Sequence, residues 1–164
     1  MVMRSTGSWY EVLRDGATVR CRIRGKLRLK GARSTNPVAV GDNVRCEADE
    51  QGGYAIAEIL PRRNYMIRRA SNLSKESHII AANIDQALLV ATLFAPETAP
   101  EFIDRFLVTC EAYKIPVTIL LAKADLARTR PEAAAEFRRV YEGAGYRVME
   151  VSATEGDGVD EVRE

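Results

Sequence analysis

Residues 117–125 read VTILLAKAD. Pro116 precedes this run and a polar loop follows it. A short apolar run bounded in this way is the pattern of a strand buried inside a sheet. The strand ends on a cation and a carboxylate, Lys123 and Asp125. In open α/β sheets, ligands lie beyond the carboxyl ends of the strands. The loop at 122–125 is therefore a candidate binding loop, and its chemistry needs a partner loop.

Outward from that strand, the same alternation recurs. Residues 85–92 form another apolar run, and 101–114 carry a helical stripe of Phe102, Ile103, Phe106, Leu107 and Cys110. Pro131 opens a helix expected to run to about Glu142, with Gly143 near its end. Residues 147–152 predict a third strand, and 158–164 the start of a further helix. Strands alternating with helices imply a parallel sheet with helical crossovers. Three strands and two complete helices leave much of such a sheet bare, so this half is expected to be incomplete.

The first half has a different period. Residues 9–13 predict a strand, Asp15-Gly16 a hairpin turn, and 18–30 a long alternating strand. A loop over 31–40 contains Asn36-Pro37. Strands at 43–48, 54–60 and 65–69 follow, with Gly52-Gly53 as a turn and Pro61 as a stop. Five short strands with Gly at the bends fit a small closed barrel such as an OB-fold. A three-stranded sheet with loops is the alternative. The expected organisation is a barrel over 1–70, a linker over 71–82 and an α/β domain over 83–164.

Charge separates the same two halves. Residues 1–69 hold 14 Lys and Arg against 7 Asp and Glu, while 70–164 hold 10 against 16. The surpluses, +7 and −6, sum to the net charge of +1. This asymmetry suggests a polyanionic partner for the first half. The cations concentrate in RCRIRGKLRLK, residues 20–30. Arg20, Arg22, Arg24, Lys26, Arg28 and Lys30 occupy every second position, so a strand would present all six on one face. Neighbours on that face lie about 6.7 Å apart and repel, a cost that a phosphate backbone would relieve. Arg33, Arg62, Arg63, Arg68 and Arg69 lie nearby in sequence. A solvated face charged against edge pairing is the alternative. The ladder itself holds no aromatic; Trp9, Tyr10 and Tyr54 could serve for base stacking but are expected in the core, so the face should read backbone and shape rather than sequence.

Composition narrows the remaining classes. No apolar stretch approaches the roughly 18 residues of a membrane span. Nothing in residues 1–10 resembles a cleavable leader. Cys21, Cys46 and Cys110 are odd in number and widely spaced, which suits a reducing compartment and no metal cluster. His78 is the single histidine and is expected at the surface or in the linker.

The partner for the 122–125 loop is Val151-Ser152-Ala153-Thr154, after the next strand. A carboxylate can accept from two adjacent N–H groups, and guanine offers such a pair where adenine does not. The Ala153 N–H is placed to donate to guanine O6, and the Lys123 stem to lie over the base. Rejection of the wrong base is strong because it leaves buried polar groups unpaired. An Asp that merely caps its own strand-end loop is the alternative.

With CRIRGKLR, VAVGDNV, ILPRRNYMIRRA, AANIDQALLV, LLAKADL and VSATEGDGV, nearly the whole chain resembles the N-terminal part of the ribosome small-subunit-dependent GTPase A family (RsgA, also called YjeQ). The resemblance implies an OB-fold, then a circularly permuted P-loop GTPase-like domain with its guanine motifs ahead of its phosphate loop, then a zinc-binding domain. It implies late assembly of the small (30S) ribosomal subunit, with GTP hydrolysis stimulated by that subunit. The expected partners are the small subunit with its 16S rRNA and a guanine nucleotide, in the cytoplasm, with neither membrane nor DNA. GTP and Mg²⁺ are implied for the whole protein, and Zn²⁺ for its C-terminal domain. The nucleotide-binding positions are Ala122, Lys123, Asp125, Ser152 and Ala153; the RNA-binding positions are Arg20, Arg22, Arg24, Lys26, Arg28, Lys30 and Arg33.

Two departures qualify this. Ala122 stands where the family has Asn, which removes an amide worth about 1–3 kcal/mol of affinity if nothing compensates. No G-x-x-x-x-G-K-[ST] motif occurs, and phosphoryl transfer depends on such a cradle. The chain is therefore expected to be a fragment, without catalytic or metal-binding residues of its own and not hydrolysing GTP alone. The competing expectation is a complete, non-catalytic RNA-binding module with a decayed nucleotide site.

Overall fold

The computed structural model describes residues 1–24, 37–49, 52–69 and 77–163. Two compact units divide the chain, Met1–Ile84 and Asp85–Glu164.

The first unit is built on a five-stranded sheet. Its strands are β1 (Val2–Thr6), β2 (Trp9–Arg14), β3 (Ala17–Ile23), β4 (Val44–Ala48) and β5 (Tyr54–Ile59), in the order β1-β2-β3-β5-β4. All neighbours are antiparallel except β3 and β5, which run parallel. Asp15 (φ 49°) and Gly16 (φ 81°) turn β2 into β3. Two successive positive φ values define the hairpin turn that Asp-Gly favours. Tyr10, Val12, Cys21 and Ile56 point inward and pack with Val2 and Val38. Arg20 and Arg22 flank Cys21 and are exposed, as the pleat requires.

β1 is not legible in the sequence, because its only buried side chain is Val2. Its backbone reaches further: Val2 N–H donates to the Asp42 carbonyl and Gly41 N–H to the Val2 carbonyl, both at 2.8 Å. Residues 77–82, inside the expected linker, form β7 (Ser77–Ala82), antiparallel to β6 (Tyr65–Arg69). His78 lies in β7 and is exposed. The expected linker residues 71–76 and the far half of the long alternating strand lie outside the described residues.

One buried carboxylate organises the segment before β4. Asp42 has no exposed surface. Its Oδ1 accepts from Arg62 Nε at 2.6 Å, and its Oδ2 from Arg62 Nη2 at 2.7 Å and Ala39 N–H at 2.8 Å. Arg62 Nη2 also donates to the Pro37 carbonyl at 2.9 Å. This two-pronged pairing raises the Arg62 pKa, chiefly through the hydrogen bond to Asp42. Arg62 is thus a structural cation and does not extend the basic face. Gly41 next to Asp42 is required: its φ is 88°, and a Cβ would lie 2.0 Å from the Ala82 carbonyl oxygen.

The second unit is a three-stranded parallel sheet in the order β10-β9-β8. Its elements are β8 (Ala87–Thr92), α1 (Pro100–Ala112), β9 (Val117–Ala122), α2 (Ala124–Ala127), α3 (Pro131–Gly143), β10 (Arg147–Val151) and α4 (Val159–Arg163). Proline starts both α1 and α3, where its missing N–H costs nothing. Ile103 and Leu107 of α1 and Tyr141 of α3 pack with Leu89, Ala91, Ile119, Leu121 and Val148 of the strands. The buried α1 stripe is Ile103, Leu107 and Cys110; Phe102, expected within it, is 50% exposed. Burial, helped by the Asp104 charge, pushes the Tyr141 phenol up to about 12. On β8, Leu88 and Val90 alternate out of that core and are exposed. The short helix α2, directly after Lys123, was not expected.

Arg62→Ala should cost about 3–5 kcal/mol, because it strands a buried charge. Arg45→Ala should change stability by less than about 1 kcal/mol, since the Arg45–Glu58 pair at 3.1 Å is exposed on both sides. Urea unfolding of both variants checks this, and equal shifts would remove Asp42 from its organising role.

Candidate functional site

β9 and β10 lie side by side in parallel, with Ala122 opposite Val151 at their carboxyl ends. Their following loops therefore leave the sheet next to one another. Lys123 adopts a left-handed backbone (φ 58°, ψ 45°), which turns the chain directly into α2 and brings Asp125 into its first turn. Ser152 follows β10 and is fully buried. Its hydroxyl donates to Asp125 Oδ1 at 2.8 Å.

The 152–157 loop is closed on itself. Gly156 N–H donates to the Ser152 carbonyl at 2.8 Å, and Ser152 N–H to the Asp157 carbonyl at 2.9 Å. Thr154 Oγ1 lies 3.0 Å from Ser152 Oγ, and Glu155 N–H donates to that oxygen at 3.3 Å. Gly158 finishes the turn at φ 71°, where a Cβ would sit 2.3 Å from the Glu150 carbonyl oxygen. Arg128, just after α2, bridges to Glu155 at 2.6 Å and also pairs with Asp157. Both hydrogen bonds raise the Arg128 pKa. Arg128 and Gly158 were not singled out from sequence for this loop; only the TEGDG run hinted at so tight a turn.

The expected residues differ in burial and contacts. Ser152 is buried and holds Asp125. An ionised carboxylate has about four acceptor sites, and Ser152 uses one. Asp125 is only partly buried, and Ala153 is exposed. Lys123 Nζ donates to the Ala95 carbonyl in the loop after β8, so its stem spans from one strand end to the next. Sequence reasoning missed this third loop. There, Arg130 stacks over Phe94 with Cζ 4.7 Å from the ring centroid. Ala122 sits at the strand end with no polar side-chain atom. Among the described residues, no group of three or more His, Cys, Asp or Glu is arranged to hold a metal ion. Nor is any helix among them long and apolar enough to cross a membrane.

The second candidate surface is the outward face of the five-stranded sheet. Arg20, Arg22 and Arg24 are all exposed. Strand pairing changes their electrostatics, however. Glu11 of β2 stands opposite Arg20. Arg24 forms an exposed ion pair with Glu47 of β4. Arg22 stacks on Trp9, its Cζ 4.1 Å from the ring centroid. Tyr10 is in the core as expected, whereas Trp9 is 39% exposed and lies on the face. Tyr54 is half-buried beneath Arg14. Lys26, Arg28, Lys30 and Arg33 lie outside the described residues.

Comparison with known proteins assigns the chain. The family model described as RsgA N-terminal domain matches residues 1–56, and the one described as RsgA GTPase matches residues 59–164. A relative from Bacteroides fragilis, named small ribosomal subunit biogenesis GTPase RsgA, is 51% identical over all of this chain and 54% of its own length. One from Phocaeicola vulgatus with the same name is 50% identical over 99% of this chain and 53% of its own. The crystal structure of YjeQ from Thermotoga maritima superposes with a TM-score of 0.73 at 31% identity, over 99% of this chain and 54% of that one. YloQ, whose structure is described as a circularly permuted GTPase, gives 0.71 at 27% identity, over 98% and 53%. The chain thus spans about half the length of the relatives it matches. With its core packing, its strand-end loops and both family models in agreement, this chain belongs to the RsgA GTPase family.

Proposed function

We propose that this chain is the RNA-facing and guanine-recognising portion of a GTPase that acts in biogenesis of the small ribosomal subunit. The observation that carries the reading is the 2.8 Å hydrogen bond from Ser152 to Asp125, made between the ends of two adjacent parallel strands. Ser152 orients Asp125 from beneath, and the carboxylate keeps acceptor sites for the guanine N1–H and N2–H₂ pair. Ala153, exposed directly after Ser152, offers its backbone N–H to guanine O6. Lys123, anchored on Ala95, lays its aliphatic stem along one wall of the base.

The sequence carries no G-x-x-x-x-G-K-[ST] motif, so no step of phosphoryl transfer is assigned to these residues. GTP hydrolysis belongs to the longer protein to which the length of the relatives points. Zinc likewise has no candidate ligand cluster among the described residues. A role on the small ribosomal subunit supports a cytoplasmic location for the longer protein.

The first unit is read as an OB-fold barrel that contacts 16S rRNA. In its support, the strand order is β1-β2-β3-β5-β4, and Val2 of β1 exchanges two backbone hydrogen bonds with Gly41 and Asp42, just ahead of β4. Arg20, Arg22 and Arg24, continued by Lys26, Arg28, Lys30 and Arg33, supply the cations for phosphate contact.

Asp125→Asn in the longer protein should reduce the preference for GTP over ATP by about 5- to 150-fold, the worth of one buried charge-assisted pairing. Competition binding with the two nucleotides measures it, and an unchanged preference would remove Asp125 from the base site. RNA binding should weaken as salt rises, with a log–log slope set by the phosphates neutralised. Arg22→Ala should flatten that slope more than Arg24→Ala, because Glu47 already offsets Arg24. Equal slopes for both variants and the unaltered chain would reduce the ladder to a solvated face.

A further inference from the structure

Among the described residues, the outward face of the five-stranded sheet carries one large aromatic ring, Trp9. Tyr10 and Val12 of β2 are buried, so Trp9 projects to the opposite side of the pleat. Thr6 is its partner across β1, and Ala55 is the partner of Arg22 across β5. Small residues thus flank the Trp9–Arg22 stack along its row, with Glu47 beyond Ala55 and with Arg20 and Arg24 adjoining Arg22 along the chain. The next row carries Arg4, Glu11 and Arg20 in register, two cations to one acid. The result is an exposed step in which the Arg22 guanidinium covers one face of an indole that stays 39% exposed, edged by Arg4, Arg20 and Arg24 against the acids Glu11 and Glu47.

A ligand for such a step needs a planar face to stack and an anionic group beside it. Aromatic rings and arginine planes both stack on nucleobases, and cations beside them meet the backbone. A duplex keeps its bases stacked on one another, so only an unpaired base can offer its face. An acidic peptide would supply charge without the planar face. We infer that Trp9 and Arg22 form a stacking platform for one unpaired base of an RNA strand. This rests on the reading of the sheet face as an RNA-binding surface, and it adds base contact to a face otherwise expected to read backbone and shape.

Trp9 is the sole tryptophan in the chain, so its fluorescence reports on the platform directly. The full chain is titrated with single-stranded oligoadenylate, with duplex RNA of equal length and with heparin, a polyanion without bases. Oligoadenylate should quench Trp9 saturably, whereas duplex RNA and heparin should bind at low salt without quenching. Trp9→Ala should weaken oligoadenylate binding, read by anisotropy of labelled RNA, by about 5- to 150-fold, the worth of one stacked base. Its affinity for the duplex should not change, and Trp9→Phe should retain most single-strand affinity. If single strands bind without quenching, or if Trp9→Ala weakens both RNA forms equally, the platform is overturned while the RNA-binding surface stands. Equal quenching by heparin would also overturn it, as a response of Arg22 to any anion. If no RNA binds, or an acidic peptide binds more tightly than RNA, both readings fall.

Discussion

Parallel pairing of β9 with β10 is the constraint on which the candidate site depends. In a parallel sheet, neighbouring strands end on the same rim, and their following loops emerge together. Ala122 and Val151 are opposite one another, so Asp125 and Ser152 need only short excursions to meet. A shift by one residue would turn alternate side chains to the other face of the sheet. Central β9, with Thr118 to Leu121 all buried, leaves little room for that slip. Core packing on Ile119 and Leu121 therefore also aligns the polar rim.

Around this rim the structure uses backbone geometry as much as side chains. Lys123 accepts a left-handed conformation, and Gly158 occupies a position that any Cβ would obstruct. Both bring a loop close to the strand it leaves. Ser152 is then fully buried, with its hydroxyl donating to Asp125 Oδ1. Exposed Arg128 ties the two loops together from outside.

The first unit solves a different problem. Its strands are short, and its core is a handful of side chains around Tyr10 and Ile56. Residues 37–42, ahead of β4, are held by the Asp42–Arg62 pair, where a buried carboxylate receives three hydrogen bonds. The outward face is less uniformly cationic than the strand that supplies its arginines. Glu11 comes from the adjoining β2 and Glu47 from β4, one strand beyond β5, and they face Arg20 and Arg24. Arg22 faces an indole instead.

Much of this was legible in order along the chain. Period-two alternation located β3 and the outward arginines, Asp15-Gly16 located a hairpin, and strand–helix alternation located the parallel sheet. The pairing of Lys-x-Asp with Ser-Ala pointed to two loops that the structure brings together. Strands β1 and β7 were not legible, because their stability comes from partners distant in sequence and little from their own pattern. The same limit applied to Arg62, Trp9 and Ala95. Whether a cation serves a buried carboxylate or a surface, and whether an indole faces inward or outward, depends on register with other strands. By itself, then, the sequence determined which segments alternate with which period, and hence the element types and the residues at the strand ends. Only the tertiary structure decided which charges cancel and which side chains touch, because those depend on long-range pairing that local periodicity does not encode.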